Sequence, residues 1–171
     1  MDYVLRKAKS TDTIRIEELF VEMLKAIYHT DDVEGYENGY LDKFFLGKED
    51  WICVAENEND VVAFLSIEVY RDEDYIYLDD LSVEKECRNR GIGTKLIHAA
   101  EKYAEEIGIT KVVFHVEKAN EDAYRLYSRL GYNEDAAKGS RILMNKSVKQ
   151  YSTNSGLAKI DLWEQELSYA D

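Results

Sequence analysis

Between positions 88 and 94 the chain runs Arg88, Asn89, Arg90, Gly91, Ile92, Gly93, Thr94, an Arg-x-x-Gly-x-Gly pattern between a strand-like and a helix-like segment. Glycines at such a junction let a ligand approach the backbone closely. The first amides of the following helix are unpaired donors at the positive end of its dipole. That chemistry suits a phosphate or diphosphate. The common nucleotide motifs do not fit. A Walker loop needs Gly-Lys-Ser/Thr, whereas Gly93 is followed by Thr94 and Lys95, and a dinucleotide fingerprint needs a third glycine where Leu96 stands. By itself the loop fits either a phosphate cradle or a plain tight turn. Cys87, beside the basic loop, is expected to have a lowered thiol pKa, but no histidine lies near it in sequence to make it a nucleophile. His115, between Phe114 and Val116, reads as a structural or pocket-edge side chain. His98 shares a polar helix side with Glu101, Lys102 and Glu105, and His29 falls at a helix end where it can face exposed carbonyls. Cys53 reads as core.

The elements that must position this loop follow from hydrophobic period. Residues 4–8 form a short extended run, and Ser10, Thr11 and Asp12 are N-cap candidates for a helix with Ile14, Leu19, Met23 and Ile27 inward, ending near His29. The stretch 30–48, with acids, two glycines and several large rings, reads as a helical lid or loop of low regularity whose tyrosines can line a pocket. Residues 51–56, 61–70 and 75–83 are β-branched and aromatic runs, expected as three antiparallel strands joined by tight turns. A helix with Leu96, Ala100, Tyr103 and Ile107 on one side follows the glycine loop and closes at Gly108. Strand 111–116, helix 120–130 with Ala123, Leu126, Tyr127 and Leu130 on one stripe, and strand 142–148 complete the pattern. Residues 152–156 read as a short linker before a terminal helix in which Ile160, Trp163 and Leu167 share a side.

Composition sets the outer limits. With 171 residues, 45% apolar, the chain has enough for one core. Twenty-two Lys plus Arg against 35 Asp plus Glu leave a net charge of −13, which disfavours a nucleic-acid surface and favours a cationic partner. Two cysteines with no CxxC pair exclude zinc ribbons and disulfide frameworks and fit a reducing cytoplasm. No window approaches the length of a spanning helix, so no membrane partner is expected.

Leu81, Ser82 and Val83 before the glycine loop, with Asn120, Ala123, Tyr127, Gly131 and Tyr132 some way after it, resemble the GNAT superfamily of N-acetyltransferases. The order of elements agrees. The resemblance covers residues 3–148 and is most specific over 77–132. It implies an α/β (α+β) fold with a mixed, mostly antiparallel central sheet flanked by helices. It also implies an acetyltransferase domain over 1–148, followed by a helical extension over 149–171. Implied with it are acetyl-CoA as cosubstrate, no metal, a small-molecule amine as partner, and a homodimer as the common assembly. Carried over by position, amides of Arg88, Asn89, Arg90, Gly91, Gly93 and Thr94 would hold the pyrophosphate. Backbone groups of Leu81 and Val83 would pair with the pantetheine arm, Asn120 would contact that arm, and Tyr127 would face the thioester sulfur. The acetyl group would lie where the strands matching 75–83 and 111–116 splay apart. Lys85 stands where many relatives carry proline.

An amine with a reference pKa near 10.4 needs about 4.6 kcal/mol to lose its proton at pH 7, so a base is required. Asp79 and Asp80 lie just before Leu81. Strand alternation points adjacent side chains to opposite faces, so one carboxylate reaches the substrate unless a bulge re-aims both. Tyr77, Leu78, Asp79 and Asp80 are similar to the Tyr-Leu-Glu-Asp of spermidine/spermine acetyltransferases, in which the acid aligned with Asp79 is the base; Gly139 and Arg141 resemble the Gly-x-Arg before their last strand. Full proton donation from Tyr127 to a thiolate is uphill by about 2 kcal/mol, which makes a hydrogen bond to sulfur its expected role. The leading expectation is acetyl transfer to a small cationic, polyamine-like amine by direct attack. Its competitors are a peptide or protein amine as acceptor, and a noncatalytic acyl-CoA sensor or assembly module.

Overall fold

β-branched and aromatic runs supply the strands of one seven-stranded sheet, in the order β1-β2-β3-β4-β5-β7-β6. The computed structural model describes residues 3–58 and 60–149. Its strands are β1 (Val4–Lys7), β2 (Trp51–Asn57), β3 (Asp60–Tyr70), β4 (Tyr75–Val83), β5 (Lys111–Glu117), β6 (Asn133–Lys138) and β7 (Arg141–Ser147). All neighbours are antiparallel except β4 and β5. The linker and terminal helix expected beyond residue 150 lie outside the described residues.

Helices α1 (Thr13–Tyr28) and α2 (Asp42–Leu46) cover one face of the sheet; α3 (Ile92–Glu106) and α4 (Glu121–Arg129) cover the other. Period-two alternation divides the strands between two cores. Trp51, Cys53, Ala55, Leu65 and Ile67 pack with Leu96, Ile97 and Ala100 of α3, while Ile52, Val54 and Phe64 pack with Ile16, Leu19 and Phe44. Burial on both faces explains why β2 and β3 read as nearly unbroken apolar runs.

Two expectations need correction. The inward stripe of α1 does not include Ile14, which is 72% exposed; Leu19 is buried as expected, and Ile16 is buried with it. Five residues separate 14 from 19, which turns a helix about 140° away from its starting face. The sequence also gave no sign of β6, whose six residues are all exposed. No β-branched or aromatic residue marks it, and its pairing with β7 makes it a strand. Among the described residues, no helix is long and apolar enough to cross a membrane.

Candidate active site

The site begins with a register slip. Leu65 pairs with Leu81, but Ile67 pairs with Leu78, so Asp79 and Asp80 together stand opposite Ser66. This is a β-bulge, and it reverses the alternation of β4. Before it, Ile76 and Leu78 enter the α3 core; after it, Leu81 and Val83 pack on that core, while the Ser82 hydroxyl donates to the Leu19 carbonyl of α1 at 2.8 Å. Both carboxylates therefore face the α1/α2 side. Ser66 Oγ fixes the bulge by accepting the Asp80 amide at 3.0 Å.

Each carboxylate meets a tyrosine from the irregular segment between α1 and α2. Tyr36 donates to Asp80 Oδ2 at 2.7 Å, and Tyr40 donates to Asp79 Oδ2. The rings are held by stacking, Phe20 on Tyr36 at 3.8 Å and Tyr36 on Tyr40 at 4.9 Å between centroids. Burial pushes Asp80 up to about 7, helped by the adjacent charge of Asp79 and opposed by the Tyr36 hydrogen bond. Burial also raises Asp79, against the hydrogen bond from Tyr40. Both phenols are raised, first by burial and then by the carboxylates they bind.

Beside the bulge the sheet opens. β4 and β5 pair only from Tyr75 with Lys111 to Tyr77 with Val113, then separate. The Glu84 amide donates to Val62 of β3 at 2.8 Å. Antiparallel alternation thus turns Leu81 and Val83 toward the open side, where the Val83 carbonyl accepts from Arg88 Nε at 2.9 Å. There lies a cleft of about 1120 Å³ lined by Leu81, Val83, Arg88, Asn89, Gly91, Gly93, Thr94 and Asn120, and flanked by Met23 and Ile27 of α1. Arg90 is exposed and is not part of this lining. Asp79, Asp80 and Tyr127 also lie outside the lining, although Asp80 and Tyr127 are next in sequence to Leu81 and Leu126, which belong to it.

The loop has the build of an anion cradle. Asn89 and Gly91 adopt left-handed φ of 60° and 78°. No side chain caps α3, and its ladder starts with Lys95 donating to the Gly91 carbonyl at 3.0 Å, which leaves the amides of Ile92, Gly93 and Thr94 available. A Cβ on Gly93 would meet Leu126, Leu81 and Val83 at 3.8–3.9 Å, ordinary contact distances. The protein's own packing does not require glycine there.

Tyr127 is buried on α4, with its ring 4.0 Å from Phe114 and 6.1 Å from Tyr132. Burial, then the charge of Asp80, raise its pKa, so it stays protonated at neutral pH. Its hydroxyl makes no hydrogen bond with the described residues. Asn120 is the N-cap of α4, its Oδ1 accepting the Ala123 amide at 3.3 Å. His115 is half-buried on β5, hydrogen-bonded through Nδ1 to Tyr77 at 2.9 Å, with its pKa lowered by burial and by Arg141; it does not line the cleft. Cys87 departs from expectation: it is buried, donates to Glu84, and burial with that carboxylate raises its pKa. Cys53 is core, pushed up to about 12 by burial. Glu101 does share a helix side with His98, whose Nδ1 lies 3.0 Å from Glu101 Oε2, but that acid is not solvated. It is buried and accepts from Tyr132 and Lys146, each at 2.9 Å. No group of His, Cys, Asp and Glu among the described residues could hold a metal ion.

A glycine loop before an uncapped helix, a strand edge opened by a splay and a buried phenol on α4 form an arrangement that an acyl-CoA transferase could use. Residues 4–132 match the model of the Acetyltransferase (GNAT) family. The chain is 30% identical over 136 residues to the uncharacterized N-acetyltransferase YhfO of Bacillus subtilis, covering 77% of this chain and 90% of that one. It is 32% identical over 132 residues to an uncharacterized N-acetyltransferase of Methanocaldococcus jannaschii, covering 77% and 78%. In fold it is similar to the PaiA N-acetyltransferase of Thermoplasma acidophilum in complex with coenzyme A, with a TM-score of 0.72 at 19% identity over 86% of this chain and 99% of that one. YncA of Salmonella typhimurium with acetyl-CoA gives 0.68 at 18% identity, over 92% and 100%. The chain belongs to the GNAT family. It is an acetyl-CoA-dependent N-acetyltransferase.

Proposed function

We propose that this enzyme acetylates a small cationic amine, with Asp80 taking the ammonium proton and Tyr127 donating a hydrogen bond to the thioester sulfur. The carrying observation is the bulge that turns Asp79 and Asp80 to one face at the mouth of the splay. A carboxylate near 7 is a better base than an ordinary one near 3.9 by about 4 kcal/mol, close to the cost of deprotonating an amine. The neighbouring Asp79 draws the ammonium in and keeps Asp80 basic. Asp80 rather than Asp79 is the base in this reading, because the charge of Asp80 is the one that acts on Tyr127.

Acetyl-CoA supplies an activated acyl group when bound. The amides of 92–94 and the loop residues Arg88, Asn89, Gly91, Gly93 and Thr94 would hold its diphosphate, with Leu81, Val83 and Asn120 along the arm and Arg90 outside the lining. Tyr127 stays protonated and stabilises developing charge on sulfur without full transfer. A panel of amines tested for thiol release decides the acceptor. Higher kcat/KM for small diamines or polyamines than for peptide N-termini supports the reading; the reverse order, or an Asp80→Asn variant with unreduced turnover, contradicts it.

A further inference from the structure

We infer that Tyr40, Phe44 and Glu68 form a second ammonium subsite, held in the free enzyme by the chain's own Lys43 and taken over by the distal ammonium of a diamine or polyamine acceptor. The inference rests on the proposal that the reacting amine binds at Asp79 and Asp80. Lys43 Nζ lies 2.8 Å from Glu68 Oε1, 4.4 Å from the Tyr40 ring centroid and 4.9 Å from that of Phe44. Two aromatic rings and a carboxylate around one nitrogen make an ammonium box. The box is built from its acidic side: Glu68 is 15% exposed and its second oxygen accepts from Tyr70 at 2.8 Å, whereas Lys43 is 39% exposed. The fixed element is the carboxylate and the exchangeable one is the ammonium.

Tyr40 joins this box to the proposed reaction site. Its ring carries Lys43 while its hydroxyl binds Asp79. Glu68 pairs across β3 and β4 with Tyr77, on the same side of the sheet as Asp79. Two cation positions thus lie one tyrosine ring apart, suited to an acceptor with two ammonium groups on a short aliphatic chain. Lys43 belongs to a five-residue helix whose N-cap makes no side-chain bond, and its swing out to water breaks the Glu68 pair and the two ring contacts, the same three that an incoming ammonium would remake.

The test compares 1,4-diaminobutane with 1-aminobutane, which share a reacting group and differ by the distal ammonium. The quantity read is the ratio of their KM values, and of their calorimetric Kd values on CoA-loaded full-length protein. Lys43→Met should shift both ratios toward the diamine, and Glu68→Gln should shift them away, each by about tenfold. Using a ratio cancels any change the variants cause in Asp79 or Asp80. If Lys43 only pins α2 to the sheet, Lys43→Met lowers Tm and leaves both ratios unchanged, which overturns the inference. If neither amine is acetylated, the acceptor proposal fails on its own, and the calorimetric ratio still decides the subsite.

Discussion

Asp80, the base of the proposed reaction, is charged at the expense of the fold. Its pKa, about 7 in the native protein against 3.8 for the free group, means that the native state holds this proton more tightly than the unfolded chain does. The stabilising proton is fully present below about pH 4 and is lost as pH rises through 7. Asp80→Asn should therefore raise stability by on the order of 2–4 kcal/mol at pH 8, and by little at pH 4, in paired thermal or urea melts. In the same variant kcat/KM should drop by about 10² to 10⁴. Tyr36 makes the opposing contribution: its hydrogen bond favours the charged carboxylate. Tyr36→Phe should move the rising inflection of the pH profile upward, and a downward move would show that the hydroxyl does not act on Asp80. Tyr127→Phe removes a hydroxyl with no partner among the described residues. Stability should change by under about 1 kcal/mol while kcat falls tenfold or more (about 1.4 kcal/mol per factor of ten). A large loss of stability with unchanged kcat would make Tyr127 a packing residue.

At the level of elements, the two loop glycines answer to different constraints. Gly91 sits at φ 78°, where a side chain is strained whatever the space, so Gly91→Ala should cost about 1–2 kcal/mol of stability. Gly93 lies in the first turn of α3 with room for a methyl group. Gly93→Ala should keep or raise Tm through better helix propensity, by up to about 1 kcal/mol, while CoA affinity falls in calorimetry. Unchanged affinity would remove the ligand-based explanation of Gly93. Most elements were legible: β2 and β3 as nearly unbroken apolar runs, β5 from its period of two, and α3 and α4 from apolar residues at a period of 3.6. The bulge was legible too, though harder to see: Ile76, Leu78, Leu81 and Val83 break the period of two between 78 and 81. What sequence could not supply was tertiary pairing. Nothing local to Tyr36 or Tyr40 says that they bind Asp80 and Asp79, nothing in 133–138 announces a strand, and Glu101 looks like a surface acid until Tyr132 and Lys146 reach it.

For the whole molecule, the sheet is packed on both faces by the two cores, with the proposed cofactor cleft opening where β4 and β5 part and the tyrosine-bound carboxylates turned to the α1/α2 face. The net charge of −13 attracts cationic acceptors over distances set by the Debye length, about 10 Å at 0.1 M salt. The kcat/KM of a cationic amine should fall as ionic strength rises, and that of an uncharged amine should not; equal slopes would assign the salt effect to something other than steering. The most direct test of the account is the pH dependence of kcat/KM for one amine in the wild type, Asp80→Asn and Asp79→Asn. The wild type should show an inflection near 7, Asp80→Asn should lose it, and Asp79→Asn should keep it at lower pH, because the charge that raises Asp80 is gone. An inflection that survives in Asp80→Asn and vanishes in Asp79→Asn would contradict the account and transfer the proton to the other carboxylate.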